Sequence, residues 1–238
     1  MNKKNLKSIL AVLIIILILI FLVCIEINTN KEYGNIGIDN SELNIFFFTV
    51  GQAESILITN NNAKMLIDCG NNSDGKHISK FLKEQGIDEL DYLIGTHIVI
   101  KLDYGSTKYL FTGDITDSID SKIKGLEKVD VLKVAHHGAK ESTSSEFLNI
   151  VKPTYAIISA GNNENYNHPD QSVIERLKEA GVEESNIFIT KNQGTIWLKS
   201  DGNSIIIEKL KELNLDGANK VSYRSIFDIC SYFFIKIS

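Results

Sequence analysis

The chain has 238 residues, 43% hydrophobic and 23% charged, with two prolines, a composition that gives room for one membrane segment and one folded domain of ordinary size. Its net charge of −5 provides no general basic face, which argues against tight electrostatic binding of nucleic acid by the molecule as a whole and leaves open only a local basic groove. Cys24, Cys69 and Cys230 are scattered and form neither a disulfide framework nor a CxxC zinc pair.

Lys3, Lys4 and Lys7 precede an unbroken apolar run from Ile9 to Ile25. As a helix this run rises about 25 Å, near the lower limit for crossing a bilayer. Leu22-Val23-Cys24-Ile25 lacks the small-residue pattern of a cleavage site, and Val23 suits poorly the position before a lipid-modified cysteine. Residues 1–27 therefore read as an uncleaved, single-pass anchor in the cell membrane, with the lysines inside and the rest of the chain on the extracellular side. Secretion after signal cleavage is the alternative. Residues 28–42, polar with Gly34 and Gly37, read as a linker.

Three short strands follow, Asn44 to Val50, Ser55 to Thr59 and Lys64 to Asp68, the last two turning at Asn60-Asn61-Asn62. Ile78, Phe81 and Leu82 share one face of a helix over Lys76 to Gln85, with Gly86 just past its end. Tyr92 to Thr96 completes a strand-helix-strand unit. Val99 to Asp103 and Tyr109 to Thr112 form a hairpin around Gly105-Ser106. A strand over Val129 to Ala135 ends in His136-His137-Gly138, and a helix near Ser145 to Val151 leads to the strand Tyr155 to Ala160. His168-Pro169 opens a helix with Pro169 at its first position, Val173, Ile174 and Leu177 inward and Gly181 as the stop. Ile187 to Thr190 is a strand, and Thr195 to Lys199 pairs with Ser204 to Glu208 around Asp201-Gly202-Asn203. These elements make an α/β domain over residues 43–210, with antiparallel hairpins at both ends. Residues 211–238 stand apart. Ile226, Phe227, Tyr232, Phe233 and Phe234 show neither helical nor strand period, and their role is open.

Asp91 to Gly105 is anomalous. His97 is followed at once by Ile98, Val99 and Ile100, with no turn residue between. As one strand, Asp91 to Tyr104 would extend roughly 45 Å at about 3.3 Å per residue, more than twice the usual length. Two elements abutted without their connection is the better reading.

Asp68, His97, Asp114 and the His136-His137 pair stand at the C-terminal ends of predicted strands, the edge where ligand sites of α/β sheets gather. Histidine ligates zinc through one ring nitrogen, and aspartate can bridge two cations. Singly, each has a plainer reading. An Asp before Cys69-Gly70 more often caps a turn, and a lone His97 is usually a hydrogen-bonded core residue. Two adjacent histidines after an apolar strand have little use in packing, so the pair favours a functional role. For His168, before Pro169, helix capping and ligation are evenly matched. His77 sits on a surface helix without further role.

Together these residues resemble the metallo-β-lactamase superfamily, and more closely the hydrolase domain of the competence protein ComEC and its stand-alone membrane-anchored or secreted relatives. FTVGQAESILI, KMLIDCG, LDYLIGTH, IVIKLDYGSTKYLFTGD, VDVLKVAHHGAKESTS and NYNHPD carry the likeness, in order, over nearly all of Leu43 to Glu208. The resemblance implies a metallo-β-lactamase-type αβ/βα sandwich, here incomplete, and a hydrolase using one or two zinc or manganese ions. Metal-dependent hydrolysis of DNA phosphodiesters is the activity that it suggests. By the same resemblance, Asp68 is the structural acid, His97 the first histidine of HxHxDH, Asp114 the metal-bridging carboxylate, His136-His137 the source of the later histidine ligand, and His168 part of an HP motif beside the site.

The likeness breaks after His97. The rest of HxHxDH and the several dozen residues that follow it in the family are missing, and the match resumes at the strand pair leading to Asp114. Thr49, Ala53 and Glu54 replace the first acid, the glycine and the last acid of DVGQGDS. The loss predicts impaired hydrolysis. The alternatives are a non-catalytic remnant or binding protein outside the membrane, and an internally shortened copy of an active gene, which resequencing across the codons for His97 and Ile98 would reveal.

Overall fold

The computed structural model describes residues 14–18, 34–61, 63–71, 74–95, 98–162 and 166–210. The chain divides into two compact units, Met1–Gly34 and Asn35–Ser238. In the first, Ile14 to Ile18 are helical with exposed side chains, and most of the apolar run lies outside the described residues. Among the described residues no helix is long and apolar enough to cross a membrane. The tail from residue 211 and His97 also lie outside them.

The second unit contains two sheets. Strands β1 (Leu43–Phe47), β2 (Ile56–Asn60) and β3 (Ala63–Ile67) lead through helix α1 (Gly75–Glu84) to β4 (Tyr92–Ile94). The hairpin β5 (Ile100–Tyr104) and β6 (Thr107–Phe111) precedes the short helix α2 (Asp117–Asp120), β7 (Val131–Lys133), helix α3 (Ser145–Val151) and β8 (Tyr155–Ile158). Helix α4 (Gln171–Glu179), β9 (Ile187–Ile189), helix α5 (Thr190–Gln193) and the hairpin β10 (Thr195–Ser200) and β11 (Ile205–Leu210) complete the chain. One sheet has the order β11-β10-β1-β2-β3-β4, the other β5-β6-β7-β8-β9.

Alternation along the strands builds the layers. Leu43, Ile45 and Phe47 of β1 face inward and meet Tyr109, Phe111, Val131 and Ile157 of the second sheet. Phe46, on the opposite face, and Phe48 just beyond β1 pack against Phe81 of α1, with ring centroids 5.7 and 5.2 Å apart. In the second sheet Leu110, Leu132, Ala156 and Ile158 face outward onto Phe147, Leu148 and Val151 of α3 and Val173 and Leu177 of α4. The result is helix, sheet, sheet, helix: an αβ/βα sandwich. The expected strand-helix-strand unit is present, since β3 and β4 pair in parallel across α1.

The abutted segment resolves into two strands of different sheets. β4 closes the first sheet and β5 opens the second, so the chain changes layer between Ile94 and Ile100. Two other expectations change. The strand expected over Val129 to Ala135 is only three residues long, because the chain turns away at the histidine pair. Helix α4 starts at Gln171, not at Pro169, and its N-cap is Asp170, not His168. The Asp170 carboxylate accepts from the Ser172 N–H at 2.9 Å. A short carboxylate reaches this first-turn donor better than a bulky imidazole does, so the helix begins behind it. Capping is thereby removed as the explanation of His168.

Candidate functional site

Local backbone conformation aims the site. Asp68 leaves β3 with φ 54, and its Oδ1 accepts from the Cys69 N–H at 2.5 Å, so the side chain does cap its turn as the Asp-Cys-Gly sequence suggests. His136 and His137 both adopt positive φ, 48 and 56, in a tight turn at Ala135–Gly138. Left-handed conformations cost a non-glycine residue roughly 1–2 kcal/mol each, and two in succession persist only where the surroundings enforce them. Those surroundings are visible. A Cβ on Gly138 would stand 2.6 Å from the Cβ of Pro169, and the Asp170 N–H donates to the Gly138 carbonyl at 2.9 Å. The HHG turn and the His-Pro segment thus lock together, bringing the His136 and His168 ring centroids within 6.1 Å. Tyr166 stacks on His168 from the outside, at 5.8 Å.

His137 points the other way, toward Asp114. A carbonyl oxygen can only accept, so the contact of its Nδ1 with the Ser159 carbonyl at 2.9 Å puts the ring proton on Nδ1. Burial first, and the Lys133 ammonium second, hold this imidazole below its ordinary value of 6.5. The neutral ring therefore presents the Nε2 lone pair to Asp114 Oδ1, 3.8 Å away. That oxygen is buried and has no hydrogen-bond partner. Two acceptors facing one another without a proton between them suit a shared cation. Among the described residues, however, no group of three or more His, Cys, Asp or Glu side chains could hold a metal ion. Asp114 and His137 are one donor short of the three that a catalytic zinc normally takes.

Asp68 belongs to the same electrostatic neighbourhood. Burial raises its carboxyl to about 6; the Cys69 N–H opposes the rise, and the negative charges of Glu54 and Asp114 add to it. His168 is also held below its ordinary value, by burial and by the neighbouring His136. Of the residues singled out in sequence, Asp68, Asp114 and His137 therefore come together, and His136 and His168 form an adjoining pair.

Lys133 and Glu54 went unnoticed in sequence except for Glu54 as a family departure. Lys133 shares the inward face of β7 with Val131, while Glu54 comes from the loop between β1 and β2 in the other sheet. Their side chains are 0% and 1% exposed, and Lys133 Nζ lies 2.9 Å from Glu54 Oε1. The Nζ donates to the Val134 carbonyl at 3.0 Å, whereas the contact with Glu54 is a charge pair without hydrogen-bond alignment. The available signal was a lysine inside the apolar run Val-Leu-Lys-Val, which can be buried only against an acid.

No family model matches the chain. It is 36% identical over 102 residues to ComE operon protein 3 of Bacillus subtilis, covering 42% of this chain and 13% of that protein. It is 44% identical over 81 residues to recombination protein 2 of Haemophilus influenzae, covering 33% and 10%, and 35% identical over 92 residues to competence protein ComA of Neisseria gonorrhoeae, covering 37% and 13%. The chain thus matches only 10–13% of the length of these relatives. Among solved structures, the metallo-β-lactamase fold protein YhfI of Bacillus subtilis superposes with a TM-score of 0.36 at 10% identity, over 65% of this chain and 98% of that one, too loosely to bear on the fold. Over the matched residues the chain is ComEC-like, a relative of the bacterial competence proteins.

Proposed function

We propose that this chain is a membrane-anchored, metallo-β-lactamase-type hydrolase domain of the ComEC competence type, working on the outer face of the cell membrane, with impaired metal-dependent cleavage of DNA phosphodiesters. The likeness to competence proteins supports the class, and the apolar run from Ile9 supports the anchor. The observation that carries the reading is the facing pair of acceptors, the buried Asp114 Oδ1 and the His137 Nε2, without a third ligand among the described residues. Zinc or manganese would be held by these two atoms, with His97 as the candidate third ligand. Such an ion lowers the pKa of a bound water to about 7. The protein's own part is to keep His137 neutral through burial and Lys133, and to fix its tautomer through the Ser159 carbonyl.

The test is elemental analysis of the full chain in detergent after dialysis, together with cleavage of bis-p-nitrophenyl phosphate and single-stranded DNA. We expect less than one metal equivalent per chain, and cleavage that Asp114→Ala abolishes. The rate should be more than about 100-fold below that of a relative with an intact HxHxDH, since losing even an outer-shell partner costs 10–100-fold. Full metal occupancy with a rate equal to such a relative would overturn the impairment. The break in the family likeness after His97 supports a second reading, a non-catalytic remnant, which predicts no bound metal and no cleavage that depends on Asp114.

A further inference from the structure

β4 and β5 end their respective sheets on the side where the chain crosses between layers, and among the described residues no strand pairs with their outer edges. An open strand edge presents unpaired N–H and C=O groups to any other strand. The edge of β5 has a defined polarity. Its hairpin with β6 turns on the two residues Gly105 and Ser106, with Tyr104 and Thr107 as the closing pair. In a two-residue hairpin the closing pair bonds inward, so Ile100, Leu102 and Tyr104 direct their backbone groups at β6. Lys101 and Asp103 direct theirs outward. The side chains alternate as well: Ile100, Leu102 and Tyr104 pack on the core between the sheets, while Lys101 and Asp103 are exposed and pair with one another and with Lys108 and Glu127.

The sequence Ile-Lys-Leu-Asp-Tyr is complementary to itself when run antiparallel. A two-fold axis through Leu102 sets Lys101 of each copy opposite Asp103 of the other, on the same face. Sliding by two residues in either direction opposes lysine to lysine or aspartate to aspartate. Sliding by one opposes charge to apolar side chain and turns one copy's core face the wrong way. Only one register is attractive, and in it the charged residues are those whose backbone groups point outward, so the two strands can bond directly. Opposite charges facing across an antiparallel pair are favourable, and like charges are unfavourable.

We propose that two copies of this chain associate through β5, antiparallel and centred on Leu102, continuing the second sheet from one molecule into the next. The test is the mass of the full-length chain in detergent micelles, by sedimentation or light scattering. The wild type should be a dimer. Lys101→Asp and Asp103→Lys, taken singly, should each weaken the dimer tenfold or more, and the double swap should restore it. Both positions are exposed, so unchanged circular dichroism and melting confirm that the variants fold. A Leu102→Cys pair meets on the axis and should cross-link within the dimer. A monomeric wild type overturns the proposal, as does a dimer indifferent to the single reversals or a double swap that stays monomeric.

Discussion

Asp68 shows how one buried carboxyl reports on its surroundings. Its ordinary value is 3.8 and the folded value about 6, so the folded state holds the proton more tightly than the unfolded chain. The resulting stabilisation is complete below pH 3.8 and is lost as pH rises through 6, a loss on the order of 1–2 kcal/mol after allowance for solvent screening. Urea unfolding at pH 5 and pH 7.5 should therefore show the wild type losing stability relative to Asp68→Asn across that interval. Parallel pH dependences would mean that burial and the charges of Glu54 and Asp114 do not act on this carboxyl. Sequence reasoning found Asp68 because an acid between a strand and a glycine has few roles. It could not find the elevated value, which comes first from burial in the folded molecule and then from the charges of Glu54 and Asp114 on distant segments.

At the scale of elements, the sandwich depends on a few well-placed anchors. Phe81 brings α1 onto Phe46 and Phe48 and is fully buried, so Phe81→Ala should cost about 3–5 kcal/mol, read from the denaturation midpoint. A loss under 1 kcal/mol would mean that α1 is held by something other than this aromatic contact. Helix α3 has a different dependence. Its N-cap Ser144 accepts from the Phe147 N–H at 3.1 Å and donates to Asp120 at 2.8 Å. Ser144→Ala should cost about 1 kcal/mol through the cap, while Asp120 keeps its bonds from the Ser121 and Ser144 N–H groups. Most elements were legible from periodicity alone, α3 to the residue, because their apolar faces repeat at the helical or strand interval. The start of α4 was not, since Pro169 and Asp170 both signal a helix start and only the bond to Ser172 decides between them.

For the whole molecule, the decisive tie is the Lys133–Glu54 pair, which spans the two sheets inside the core. Removing either partner strands a buried charge, so Lys133→Met or Glu54→Leu alone should destabilise by about 3–5 kcal/mol. The two together should cost clearly less than the sum of the singles, because the double variant leaves no charge behind. Additive losses would show that the pair does not couple the sheets. Lys133→Met should also return His137 toward its ordinary value of 6.5, a change visible by NMR titration, because its ammonium is the second-largest cause of that imidazole's depression. The segment from Asp91 to Gly105 belongs at this scale too. Its missing turn residues marked two elements pressed together, and strand length sufficed for that, because roughly 45 Å is more than twice the usual length of a strand. That the two elements lie in different sheets, each as a terminal strand among the described residues, depends on pairing between residues far apart in the chain. Local periodicity and turn chemistry therefore specified the elements, and the ordered motif segments carried the likeness to competence proteins. Only the tertiary structure decided which polar side chains meet, that Asp114 faces His137 and that Lys133 is buried against Glu54, because those contacts join segments whose sequences carry no record of one another.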